Sequence, residues 1–159
     1  MFLYETFPPD MIKIGFNSEN KDRVFEEMVD HFCMIRKSNA REDILRVIRE
    51  RESKMSTGVM DGIAIPHGIS DAVNGVNGIL GISKKGINYN ALDNEPVFLV
   101  FMLIASKVYT EKYMELLTRL AGLLDNPGFY SDLVAQDSPE GAHQIIKSYE
   151  DDLSSPRVN

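Results

Sequence analysis

Apolar residues recur at helical spacing in four stretches of the chain and run unbroken in a fifth, and this contrast lays out its elements. Val24, Phe25, Met28, Val29, Phe32 and Ile35 form one core-facing stripe, with Ser18 placed as its N-cap and Glu19 and Asp22 in the first turn. His31, at the edge of that stripe, reads as a solvated or half-buried histidine. Ile44, Leu45, Val47 and Ile48 are the apolar face of a second helix over 40–53, capped by Asn39. A third helix over 111–124, capped by Thr110, buries Tyr113, Leu116, Leu117, Leu120, Ala121 and Leu124, which turns Tyr113 inward in the first turn. Pro127 and Pro139 start two further helices. On the last of them Ala142, Ile145, Ile146 and Tyr149 face the core and His143 faces water.

The unbroken run, Val97 to Ile104, is apolar on both faces and belongs in the centre of a sheet covered by helices on each side. Residues 75–86 predict a second strand through Val76, Ile79, Leu80 and Ile82, closed by the Lys84-Lys85-Gly86 turn. Ile12 to Phe16 alternates and predicts a short strand, Ile87-Asn88-Tyr89 a short extended piece, and Asp93-Asn94-Glu95-Pro96 a turn. The pattern is that of an α/β domain over 12–150. Residues 1–11, with Pro8-Pro9, read as an arm lying on it, and residues 151–159 as a polar, loose tail.

One segment, Thr57 to Gly68, has neither period. Gly58, Gly62 and Gly68 allow positive φ and close backbone approach, and Ile63-Ala64-Ile65 predicts a short buried strand. Pro66 has no N–H, so the ladder is expected to stop where His67 emerges. Strand-end loops are where open α/β sheets carry chemistry, whereas the plainer reading is a turn histidine that caps a strand.

Composition narrows what His67 does. In 159 residues the apolar share of 43% and charged share of 26% are those of a globular domain. A net charge of -7 with only 17 basic residues argues against a nucleic-acid partner. The longest apolar run, 97–105, is far below the roughly 20 residues of a membrane helix, and no signal peptide is evident. The single cysteine, Cys33, excludes an internal disulfide and suits a cytoplasmic setting.

Three dispersed histidines without paired cysteine or carboxylate spacing do not make a metal site. Neither a GxxxxGK[ST] loop nor GxGxxG occurs, and His67 has no Ser or Cys nucleophile with a local signature. No cofactor is implied. What survives is histidine as the nucleophile. A neutral imidazole attacks phosphorus through one nitrogen when a backbone carbonyl holds the other protonated. The added negative charge then needs backbone N–H groups and an arginine. Arg51 continues the second helix's apolar stripe, three after Ile48 and four after Val47. It must reach either the helix's own carbonyls or a nearby anion.

Arg51-Glu52-Ser53, Ser56-Thr57-Gly58 and Gly62-Ile63-Ala64-Ile65-Pro66-His67-Gly68 together resemble the active-site signature of phosphotransferase-system EIIA domains of the fructose/mannitol type, the nitrogen-regulatory branch included. The likeness runs from about Phe16 to Tyr149 and takes in Gly81-Ile82, the Asp93-x-x-Pro96 turn and the helix from Glu111 to Leu124. It implies an α/β/α sandwich, a small mixed sheet with helices on both faces. It implies phosphorylation of His67 by the phosphohistidine of HPr and transfer to an EIIB component in sugar uptake. The alternative is a regulator whose phosphorylation state controls its grip on other proteins, which the absence of an appended EIIB or EIIC keeps open. The resemblance makes Arg51 the arginine that steadies the phosphorylated ring, puts Thr57 in the signature, and puts Asp61 where an acidic or amide residue helps order the site. One departure stands out. Relatives carry a second histidine where this chain has Tyr113, a phenol that donates a hydrogen bond but does not become a cation.

Overall fold

The computed structural model describes residues 1–154, the side chains of Val59, Met60 and Ser154 apart. Six strands, β1 (Ile12–Ile14), β2 (Gly58–Met60), β3 (Ile63–Ala64), β4 (His67–Ile69), β5 (Val76–Ile87) and β6 (Val97–Ala105), form one mixed sheet. Its order is β1-β5-β6-β3-β2, and β4 joins the same side of β6 as β3. β5 and β6 pair antiparallel, while β1 on β5 and both β3 and β4 on β6 are parallel. The helices are α1 (Leu3–Thr6), α2 (Lys21–Arg36), α3 (Arg41–Lys54), α4 (Thr110–Leu124), α5 (Pro127–Val134) and α6 (Pro139–Ser154).

β6 shows why both faces need a cover. Val100, Met102 and Ile104 pack into one core with Phe25, Met28, Ile44 and Ile48 of α2 and α3. Leu99, Phe101 and Leu103, pointing the other way, pack with Tyr113, Leu116, Leu120, Phe129 and Ile146 of α4, α5 and α6. The expected three-layer sandwich is the observed one. At roughly 1.5–3 kcal/mol for each large apolar side chain fully buried, these two cores supply most of the drive to fold.

Several expectations change in detail. The ladder does not end at Pro66. β3 pairs Ile63 with Leu99 and β4 pairs His67 with Leu103, so the register resumes unchanged after the proline, and the Pro66 carbonyl still accepts Leu103 N–H at 3.0 Å. Proline removes one donor and leaves the acceptor in place. His67 therefore opens a strand, β4, and does not lie in a strand-end loop. Of the three signature glycines only Gly62 has positive φ, 81°. Gly58 and Gly68 are small for another reason: a Cβ would lie 2.7 Å from the Tyr89 ring and 2.9 Å from Val47 Cγ2, respectively.

The α2 cap is Asn20, whose side chain accepts from Asp22 and Arg23 N–H, while Ser18 supports Asn20 itself. α3 begins after Ala40 and α4 after Tyr109, neither with a side-chain cap. On α4 Leu123 is buried and Ala121 exposed, the reverse of the expected stripe. The first eleven residues are built into the core: Leu3, Phe7 and Met11 are buried, and buried Glu150 accepts Leu3 N–H at 2.7 Å and Tyr4 N–H at 3.1 Å. His143 does not face water but is half-buried, with Nε2 at 2.9 Å from the Tyr4 carbonyl. α6 continues to Ser154, past the expected start of the tail at Asp151, and residues 155–159 lie outside the described residues.

Candidate functional site

β4 alternates sides, and this places the groups of the site. His67, opposite Leu103, rises on the face covered by α4, and Gly68, opposite Ile104, faces α3. The missing Cβ of Gly68 seats Val47 of α3 directly on the strand. Arg51 follows Val47 by one helical turn, and among the described residues no strand lies outside β4, so an α3 side chain reaches His67 around the sheet edge. Tyr113 arrives from the first turn of α4. Its ring centroid is 6.0 Å from that of His67, with the planes inclined by 53°. Arg51, His67 and Tyr113, with Val47, Glu50, Lys54 and Ile69, line a cleft of about 260 Å³.

The tautomer of His67 follows from its partner. Nδ1 lies 2.7 Å from the Ile65 carbonyl oxygen, which only accepts, so Nδ1 carries the hydrogen and Nε2 keeps its lone pair. Burial pushes the imidazole below its ordinary value of 6.5; the Ile65 bond works against this, the Arg51 charge lowers it further and Glu52 raises it. The ring is thus held neutral and one-sided. Tyr113 is 5% exposed, and burial pushes its phenol up, with Arg51 pulling back. It is a hydrogen-bond donor and not an acid in the physiological range. Arg51 Nη1 donates to the Met55 carbonyl at 2.8 Å in an exposed position, so the arginine rests on the end of its own helix while facing the cleft.

The other sequence candidates lie elsewhere. Asp61, at φ 50°, is exposed in the β2–β3 turn and its N–H donates to Asp93 Oδ2 at 3.0 Å; it does not line the cleft. Thr57 is 3% exposed and does not line it either; its hydroxyl donates to Glu52 at 2.6 Å. His31 and His143 each meet a backbone carbonyl, of Asp10 and Tyr4. Sequence reasoning missed Glu52. It falls four residues after Ile48 and thus on the buried stripe that Arg51 was expected to continue; Arg51 is only half-buried, on the flank toward β4.

Comparison with known proteins supplies the family. The family model described as "Phosphoenolpyruvate-dependent sugar phosphotransferase system, EIIA 2" matches residues 5–149. The fructose-specific EIIABC component of the Bacillus subtilis phosphotransferase system is 34% identical over 150 residues, 94% of this chain. The match spans only 24% of that longer protein. A nitrogen regulatory protein of Pseudomonas aeruginosa is 28% identical over 145 residues, 91% of this chain and 94% of its own length. Among solved structures, the nitrogen regulatory protein IIA-Ntr of Neisseria meningitidis superposes with a TM-score of 0.83 at 28% identity, covering 91% of this chain and 98% of that one. Among the described residues no helix is long and apolar enough to cross a membrane. The chain belongs to the type-2 EIIA family of the phosphoenolpyruvate-dependent sugar phosphotransferase system.

Proposed function

We propose that His67 is the phosphoryl acceptor of a phosphocarrier that takes its group from a phosphohistidine on an HPr-like protein and passes it to an EIIB component in fructose/mannitol-type sugar uptake. The observation that carries this is the 2.7 Å contact of Nδ1 with the Ile65 carbonyl, which leaves Nε2 as the nucleophile beside Arg51. In uptake the Nε2 lone pair bonds to phosphorus, the P–N bond to the donor imidazole breaks, and its electron pair returns to the donor ring. The Ile65 carbonyl meets the charge gathering on the attacking ring through Nδ1–H, and the phosphoryl oxygens draw Arg51 from the Met55 carbonyl. No divalent cation takes part, since no nucleotide is neutralised. A cytoplasmic setting goes with this reading. Incubation with phosphoenolpyruvate, enzyme I and HPr should add one acid-labile phosphoryl group per chain, and a fructose-type EIIB should discharge it. An unlabelled chain overturns the reading.

The likeness to nitrogen regulatory proteins supports a second reading, a regulator whose His67 phosphorylation state changes its hold on other proteins. Label that EIIB leaves in place, with partner binding that differs between the two forms, favours it over transport.

Tyr113 takes part in the same chemistry as a hydrogen-bond donor to the phosphate, replacing a second imidazole. Tyr113→Phe is expected to slow transfer roughly tenfold, the loss of a hydrogen bond to a charged group. Tyr113→His should add a pH dependence near 6–7, where histidine titrates. Equal phosphorylation kinetics for all three proteins from pH 5.5 to 8 would remove the hydroxyl from the chemistry.

A further inference from the structure

Adjacent residues of α3 carry opposite charges in opposite directions. Arg51 leans to the cleft, and Glu52 turns inward with 6% of its side chain exposed. Oε1 accepts Thr57 N–H at 3.0 Å and the Lys21 ammonium at 3.3 Å. Oε2 accepts the Thr57 hydroxyl at 2.6 Å. That hydroxyl has spent its only hydrogen, so Tyr89 is the donor in the 2.7 Å contact between the two hydroxyls. A carboxylate buried this far is tolerated only when both oxygens are hydrogen-bonded, and here they are.

Two routes lead from this carboxylate to the cleft. The Glu52–Thr57 pair closes the turn through Met55, whose carbonyl receives Arg51 Nη1. On the other side the Thr57 carbonyl accepts Ile65 N–H at 3.1 Å, and the Ile65 carbonyl accepts His67 Nδ1–H at 2.7 Å. One buried group thus holds both the carbonyl on which Arg51 rests and the residue that locks the His67 tautomer.

We propose that Glu52 is a positioning residue that sets the His67 ring and the Arg51 guanidinium against each other by bracing the α3–β2 turn onto β3. Thr57 acts in the brace and not in the cleft. The kinetic consequence rests on the phosphoryl-acceptor reading; the geometric one does not. The titratable groups facing His67 are Glu50, Arg51 and Lys54 of α3 and Tyr113 of α4, with Glu52 behind them.

The test compares the wild type with Glu52→Ala, Glu52→Gln and Thr57→Val. Glutamine keeps an acceptor for Thr57 N–H and can donate to a rotated Thr57 hydroxyl, so it removes the charge and spares the brace. Two readouts are taken on the folded protein: phosphoryl uptake from phospho-HPr and from phosphoramidate, and the proton NMR signal of His67 Nδ1–H, sheltered from exchange by the Ile65 carbonyl. Glu52→Ala should slow uptake roughly tenfold to a hundredfold, as expected for reacting groups displaced by an ångström, and should speed exchange of the Nδ1 proton. Glu52→Gln should fall between alanine and wild type in both. Should the alanine variant not fold, Thr57→Val, which deletes the hydroxyl alone, should show slower uptake and faster exchange. Variants that lose thermal stability yet keep wild-type uptake and exchange reduce Glu52 to a structural residue and overturn the proposal. If the wild type takes no phosphoryl group from either donor, the acceptor reading fails, and the Nδ1 exchange rates alone decide: faster in the variants upholds the brace, unchanged overturns it.

Discussion

Replacing His67 by glutamine should abolish phosphoryl uptake altogether, with no second site taking over. Glutamine can imitate the bond to the Ile65 carbonyl but has no lone pair able to form a P–N bond at neutral pH. His31 and His143 are no substitutes, because neither lines the cleft with Arg51 and Tyr113. Mass spectrometry after incubation with the phosphoryl donors, under conditions that spare acid-labile groups, reads the result; any label left on the variant would displace His67. The same substitution has a pH signature. The folded protein binds the His67 proton more weakly than the unfolded chain, because burial holds the ring below its ordinary 6.5. Stability from the neutral ring is therefore full above about 6.5 and declines as pH falls toward the depressed folded value. The glutamine variant should lose this dependence, so urea unfolding of the two proteins should diverge as pH is lowered through that window.

Arg51→Ala should be nearly silent in the resting protein and severe in the phosphorylated one. At rest the arginine makes an exposed bond to the Met55 carbonyl, and exposed substitutions of this kind change stability by about 0.5 kcal/mol or less. Once a phosphoryl group sits on Nε2, each charge-assisted bond from the guanidinium is worth roughly 1.5–3 kcal/mol, which corresponds to a slowing of uptake by about tenfold or more. The lifetime of the phosphorylated form should shorten as well. Arg51 lowers the proton affinity of His67, so the variant's imidazole should titrate at higher pH in an NMR titration. Melting of Arg51→Ala with unaltered phosphorylation would assign the residue to the helix end alone.

Much of the architecture was legible in the order of residues. The doubly apolar run 97–105 had to be a central strand, since neither of its faces tolerates water, and the helical stripes supplied two covering layers. The segment from Gly62 to Gly68, read with Arg51-Glu52-Ser53 and Ser56-Thr57-Gly58, carried the family resemblance, and His67, Arg51 and Tyr113, the departure from it, meet in one cleft. The errors cluster at element ends. Ser18, Asn39 and Thr110 all look like caps, but which polar side chain meets the first free N–H groups depends on how the preceding chain enters, and only Asn20 does so for α2. Arg51 was expected on the apolar stripe for a similar reason. About 100° per residue leaves both it and Glu52 near that stripe, and Glu52 is the one that is buried.

The sequence by itself determined which residues are the candidates: a histidine preceded by proline and followed by glycine, an arginine on a neighbouring helix, and a tyrosine turned inward. Only the tertiary structure decided how they are placed together. A strand that resumes its register after Pro66 keeps His67 rigid on the sheet edge. The absent Cβ of Gly68 lets α3 close on that edge and carry Arg51 across from the opposite layer. The reason is that hydrogen-bond register and close approach are relations between segments distant along the chain. A local pattern constrains which face a side chain takes, but not what it meets there.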